Sequence, residues 1–178
     1  IAMAQQAAYQ WDGAVAELAE DVHQLRTRME RELAKERPGR YDLKHGRGGL
    51  LDIELSTQLL QMIHGADPGL RTTETRLAIE ALDERKVITA DQASALREGY
   101  AFLRRLEQRL RVVHGDGSHL IEDHAEGLAP LARRMKMRDF PGRSAAASLM
   151  ERYRSVTARV RTAYQEIVVA PAGGHGRS

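Results

Sequence analysis

The 178-residue chain contains no cysteine, which excludes disulfides and thiolate metal sites and fits a reducing, cytoplasmic compartment. No apolar run approaches the ~20 residues that cross a bilayer, and no signal-peptide pattern is present. Neither a membrane partner nor secretion is therefore expected. Aromatic residues make up only 4%, with one Trp and two Phe, so the core has to be aliphatic. No charge sign dominates, because the formal net charge is +2. The basic stripes lack interleaved aromatics, a weak nucleic-acid signal, and no nucleic-acid partner is expected. Strand alternation, hairpin dipeptides and internal repeats are missing as well.

What is present is a helical vocabulary. Ala, Leu, Arg and Glu dominate, and 42% hydrophobic with 29% charged residues suits a folded, water-facing domain. The expected architecture is an all-α bundle of about six helices spanning residues 1–170. The chain begins Ile1-Ala2-Met3 without an initiator methionine, as a piece of a longer protein would.

The first helix is expected over 1–37. Trp11, Val15, Leu18, Val22, Leu25, Met29 and Leu33 alternate steps of four and three, a coiled-coil type of seam. Pro38-Gly39 ends it and opens a glycine loop over 38–48. A second helix follows to His64, with Leu51, Leu55, Leu59, Met62 and Ile63 on one apolar face and Ile53 and Leu60 adding another. Its polar stripe is Glu54, Gln58 and Gln61. Thr72 or Thr73 is placed to cap a third helix through Arg85, with Leu77, Ala78, Ala81 and Leu82 inward. Thr89-Ala90-Asp91-Gln92 reads as a capping box that starts a long fourth helix to His114, with Leu96, Tyr100, Leu103, Leu110 and Val113 on its seam. A fifth helix is expected over about 125–137 and a sixth over about 144–169, with Leu149, Tyr153, Val156, Val160, Tyr164 and Ile167 inward. Residues 171–178 read as a disordered tail.

Residues Lys44 to Glu54 carry the chemistry. Basic side chains and glycines, Lys44-His45-Gly46-Arg47-Gly48-Gly49, run into a helix whose first turns hold Asp52 and Glu54. The free amides of a helix start attract anions, and two carboxylates there oppose that unless cations intervene. The segment is neither a Walker loop, since no Gly-Lys-Ser/Thr follows, nor a dinucleotide fingerprint, since no strand precedes it. The plainer reading is that the glycines make a tight helix entry and the acids serve the dipole. Two apart on a helix, Asp52 and Glu54 point to different sides. One is expected to serve a site while the other anchors Arg or Lys.

Glu107 falls on the fourth helix's seam, where a buried carboxylate needs a partner. Arg104 and Arg111 flank it as a local ion-pair stripe. A sharper alternative has Glu107 reaching Lys44 or Arg47. Arg97, Arg104 and Arg111 share a face that either meets phosphate or an acidic partner or is balanced by Glu98 and Glu107. His114, His119 and His124, with Asp116, Glu122 and Asp123, have a five-residue spacing that does not align ligands, so no metal is expected. Ser118 beside His119 has no third member for a hydrolytic triad.

From Arg31 to Val168 the pattern resembles the helical domain that follows the nucleotidyltransferase domain of bifunctional glutamine synthetase adenylyltransferase/adenylyl-removing enzymes, a module shared with PII uridylyltransferases. The carrying residues are Asp42-Leu43-Lys44, Gly48-Gly49-Leu50-Leu51-Asp52-Ile53-Glu54, Gln58-Leu59-Leu60-Gln61, Tyr100-Ala101-Phe102-Leu103-Arg104-Arg105-Leu106-Glu107 and Leu131-Ala132-Arg133-Arg134. Leu55 stands where the family usually has Phe, and the Gly-Ser motif with spaced, magnesium-binding aspartates of the catalytic domain has no match here. In such enzymes, the resemblance implies, one half attaches AMP to a tyrosine of glutamine synthetase and the other removes it by phosphorolysis. The Gly- and Pro-containing tail points to the second, adenylylating half.

The resemblance therefore implies a domain that is not catalytic alone. ATP and Mg2+ would be held with the adjacent nucleotidyltransferase domain, and glutamine synthetase and the PII signalling protein would be partners. Lys44, Arg47, Gly48, Gly49, Asp52 and Glu54 are the expected nucleotide-proximal residues, supported by Gln58, Arg104 and Glu107. No catalytic residue and no metal ligand is expected within the chain. The alternatives are a helical protein-interaction module without nucleotide, docking through its arginine face, and the equivalent domain of a PII uridylyltransferase.

Overall fold

The longest apolar stripes of the sequence become the two helices at the centre of the molecule. A computed structural model describes residues 15–115 and 119–172. Helix α1 is Val15–Leu33, α2 Leu50–Ile63, α3 Thr75–Glu84, α4 Ala90–His114, α5 Ala125–Arg134 and α6 Ala145–Tyr164. A π turn, Gln165–Val169, carries the last helix on through Ala170–Ala172. A short 3-10 turn, Pro68–Leu70, lies between α2 and α3. Among the described residues the architecture is an all-α bundle of six helices. Trp11, Asp116, Ser118 and the tail beyond Ala172 lie outside the described residues.

α6 packs along α4 and against α5, burying Leu149, Tyr153, Val156, Val160 and Tyr164 at the positions their periodicity assigns, and the π turn beyond it buries Ile167. α4 meets it with Leu96, Leu103, Leu106 and Leu110. The Thr89 hydroxyl accepts from the Gln92 amide and the Gln92 side chain accepts from the Thr89 amide, so the capping box forms. Ser144 caps α6 by accepting from the Ala147 amide.

Four expectations are corrected. The seam of α1 turns over halfway: Leu18 and Val22 are buried, but Leu25 and Leu33 are exposed, and Arg26 takes the inward position. The step from Val22 to Arg26 keeps one helix face on the core, whereas the heptad step to Leu25 does not, because this helix lies on a globular surface rather than in a coiled coil. α1 also stops at Leu33, four residues before the expected end, where the Asp42 carboxylate approaches the Lys35 amide. α3 starts at Thr75, and the Thr72 hydroxyl accepts from the Glu74 amide in a turn before it; Ile79 is buried there and Leu77 is exposed. In α2 Met62 is exposed, while Ser56 and Thr57 are buried because each hydroxyl donates to a carbonyl four residues back.

A two-stranded antiparallel ribbon, absent from the sequence reading, joins β1 (Arg40–Asp42) to β2 (Leu120–Glu122), with Tyr41 opposite Ile121. Three residues are too short to show alternation, and the partners are far apart in the chain. The ribbon pins the start of the glycine loop to the segment after α4. The Leu43 amide donates to the His119 carbonyl at 2.8 Å.

Candidate functional site

Asp42 organises the loop. One carboxylate oxygen accepts from the amides of Lys44 at 3.0 Å and His45 at 2.9 Å, a local turn that short acidic side chains favour. The Gly46 amide donates to the Asp42 carbonyl, Gly49 to Gly46, Leu50 to Leu43, Leu51 to Lys44 and Asp52 to Gly49. The Gly48 amide donates to Asp52 at 2.7 Å. The amides that could have cradled an anion are thus consumed internally. The Gly48 and Gly49 amides are among those so engaged. Gly48 sits at φ +68, and a Cβ there would overlap the Thr157 carbonyl of α6. The close approach that glycine permits is to protein.

Asp52 and Glu54 do face different ways. Asp52 is fully buried and bound from three sides: by Arg26 Nε at 2.5 Å, Arg161 at 3.1 Å and the Gly48 amide. Arg26, 1% exposed, also donates to the Gly46 carbonyl at 2.9 Å. Glu30 completes the cluster, with Arg47 at 3.0 Å, Arg26 at 3.4 Å and Arg161 at 3.7 Å. α1, α2, α6 and the loop therefore meet at one carboxylate. Such a network ties charges that burial would otherwise penalise heavily.

Glu54 is half-buried, on another side of the helix from Asp52. Burial pushes its carboxyl above the ordinary value, while the Lys44 and Arg104 cations pull it back. Gln58, one turn on, is exposed. Next to this face, on α4, Glu107 is buried and contacts Arg104 at 2.6 Å, Arg111 at 3.6 Å and His119 Nδ1 at 3.0 Å, the last out of line for a hydrogen bond. Glu107 does not pair with Lys44 or Arg47, as the sharper alternative had it; Arg47 pairs with Glu30. The tie between loop and α4 exists all the same, through His119, whose carbonyl takes the Leu43 amide and whose ring meets His45 edge-on at 6.3 Å.

The arginine face is neutralised at home. Arg97 pairs with Asp83 at 2.7 Å, and Arg104 and Arg111 share Glu107. Glu98, expected to balance this face, instead pairs with Arg159. Of the histidines, His119 belongs to Glu107 and His124 caps α5. Among the described residues no group of three or more His, Asp or Glu is placed to hold a metal ion.

Sequence reasoning missed Arg26 and Arg161, and named His119 only in setting aside a metal site and a hydrolytic triad. The readable signal was Arg26 itself, an arginine at i+4 from Val22 on a helix face that opens with Leu18. Nothing local marks Arg161.

The profile of the GlnD PII-uridylyltransferase family matches residues 13–168, and so takes in the loop, the Asp52 cluster and the Glu54 face. The chain belongs to that family. Its similarity runs to proteins named bifunctional glutamine synthetase adenylyltransferase/adenylyl-removing enzyme. The one from Mycobacterium leprae is 33% identical over 159 residues, 88% of this chain and 16% of its own length. That from Streptomyces avermitilis is 31% identical over 160 residues, 89% and 16%, and that from Mycobacterium marinum 35% over 163 residues, 86% and 16%. The chain spans about 16% of the length of these relatives. In this family member no helix among the described residues is long and apolar enough to cross a membrane.

Proposed function

We propose that this chain is the helical domain of a glutamine synthetase adenylyltransferase/adenylyl-removing enzyme, acting in the cytoplasm beside a nucleotidyltransferase domain and regulating nitrogen assimilation. Kinship with adenylyltransferases along nearly the whole chain carries the reading. Nucleotidyl transfer needs positioning and charge neutralisation more than covalent chemistry from the protein. The Asp52 cluster supplies rigidity, and the Lys44, Glu54, Gln58 and Arg104 face supplies polar groups on another side of α2. Lys44 and Arg47 are the cations offered to the phosphates of ATP. Glu54 orients Lys44, and Glu107 holds Arg104.

Mg2+, which the reading implies for the parent enzyme, finds no free carboxylate at Asp52 or Glu54. Both Asp52 oxygens are engaged by Arg26, Arg161 and the Gly48 amide, and Glu54 stands among cations. In this reading the ion is held by the neighbouring domain. Glutamine synthetase is the substrate protein and PII the signalling partner in this reading.

The test uses the full-length enzyme. Lys44→Ala and Glu54→Gln are each expected to raise the KM for ATP roughly tenfold, about the loss of one charge-assisted contact, without lowering the melting temperature. Unchanged KM and unchanged AMP transfer to glutamine synthetase in both variants would refute the assignment. Transfer of UMP to PII in place of AMP to glutamine synthetase would assign the chain to the uridylyltransferase branch.

A further inference from the structure

The sequence singles out Leu131-Ala132-Arg133-Arg134, a segment that the proposed function leaves without a role. Elsewhere in the bundle arginines are answered by acids: Arg76 by Glu80, Arg97 by Asp83, Arg104 and Arg111 by Glu107, and Arg159 by Glu98. The end of α5 differs. Arg133, Arg134, Lys136 and Arg138 are all exposed, and among the described residues none of their side chains has an ion pair or a hydrogen bond. Asp139 is the one acid between Leu128 and Ser144, and it is committed to the start of α6, where it accepts from the Ala145 amide at 2.8 Å.

α3 and α5 end in the same closure. The Met137 amide donates to the Ala132 carbonyl and the Lys136 amide to the Arg133 carbonyl; in α3, Val87 donates to Leu82 and Lys86 to Asp83. This closure leaves one residue left-handed, a place that favours glycine, yet lysine fills it both times, at φ +56 for Lys86 and +62 for Lys136. Lys86 has the Asp83 carboxylate at 3.8 Å. Lys136 has Arg133 at the equivalent position. Cations in a last turn answer the helix dipole, which accounts for Arg133 and Arg134 but not for Arg138 beyond it. Beside them stands Phe140, 62% exposed. Its amide and carbonyl bond those of Arg143 at 2.9 Å each, which fixes the backbone that carries the ring. An exposed aromatic next to unpaired guanidinium groups has the composition of an interface centre.

We propose that Arg133–Phe140 is a docking site for a short acidic segment of a partner protein, in which carboxylates flank one apolar side chain. Guanidinium forks match carboxylates two bonds at a time, and Phe140 receives the apolar group. A nucleic-acid strand would need a longer track of free cations, and those on and before α6 are already taken: Arg143 by Glu151, Arg154 by Asp123 and Arg159 by Glu98. A lipid surface would need more apolar area than one Phe supplies.

Fluorescence anisotropy on the intact protein tests this with a labelled peptide of glutamates around a central leucine. It is expected to bind at least about tenfold more tightly than the same peptide made with glutamines, and about threefold more tightly than one with serine for leucine. Rising salt weakens it. Arg134→Glu combined with Lys136→Glu is expected to lower affinity about tenfold or more, and Phe140→Ser about threefold, with folding checked by circular dichroism. If the double variant is unfolded, Arg134→Gln decides, with an expected loss of about threefold. Arg28→Glu combined with Lys35→Glu makes the same charge change on α1 and is expected to leave affinity unchanged. An equal loss in that control, no preference for glutamate over glutamine, or undiminished binding in a folded α5 variant would overturn the proposal. So would a thymidine oligonucleotide or phosphatidylserine vesicles displacing the labelled peptide better than the unlabelled peptide does.

Discussion

Replacing Asp52 by Ala tests the claim that this carboxylate, and not Glu54, fastens the loop. Asp52 is fully buried and takes up Arg26 at 2.5 Å, the Gly48 amide at 2.7 Å and Arg161 at 3.1 Å. Its removal leaves Arg26, 1% exposed, with only Glu30 at 3.4 Å as counter-charge, and leaves the Gly48 amide without an acceptor. Breaking one partner of a buried ion pair costs about 3–5 kcal/mol, because the remaining charge stays desolvated. For a domain of this size each kcal/mol moves the melting temperature by about 2–4 °C, so a fall of about 6–20 °C is expected. Glu54→Ala, at a half-buried position, is expected to stay within about 1 kcal/mol of wild type. Arg26→Met combined with Asp52→Leu is expected to lose less than the sum of the two single changes, by about 1 kcal/mol or more. Calorimetry and urea titration read all five variants. A loss below about 1 kcal/mol for Asp52→Ala, or an equal loss for Glu54→Ala, would refute the division of labour between the two acids.

Gly48→Ala combines a left-handed backbone with overlap of the Thr157 carbonyl, and is expected to destabilise by about 2 kcal/mol or more in urea unfolding. Gly99→Ala in α4 would gain about 1 kcal/mol in an exposed helix, but here the new methyl overlaps Val160 of α6, so a net loss of about 1–3 kcal/mol is expected by the same measurement. Glu54 has its folded-state carboxyl raised above the ordinary 4.5 chiefly by burial, so the folded state holds that proton more tightly and stability falls as pH rises from 4.5 through the raised value. Glu54→Gln is therefore expected to stabilise the protein at neutral pH, with the gain fading below pH 4.5, as melting temperatures across pH will show.

The legible parts of this protein were those in which a residue's neighbours are local. The capping box at Thr89, the cap at Ser144 and the inward faces of α4 and α6 follow from spacing alone, because helix periodicity and first-turn amides are properties of a few consecutive residues. The opposed directions of Asp52 and Glu54 were legible for the same reason. The half-turned seam of α1 was not, since Leu25 and Arg26 are both reachable by a helical pattern and only the neighbouring helix selects between them. Nor was the ribbon, whose strands are too short to carry a pattern.

The sequence by itself determined that the chain is helical, where most of its helices begin, and that the Lys44–Glu54 segment is its chemically unusual stretch. Tertiary structure alone decided which carboxylate is buried. Arg26, Asp52 and Arg161 are brought together from three helices, and a buried charge is tolerated only where distant partners converge on it.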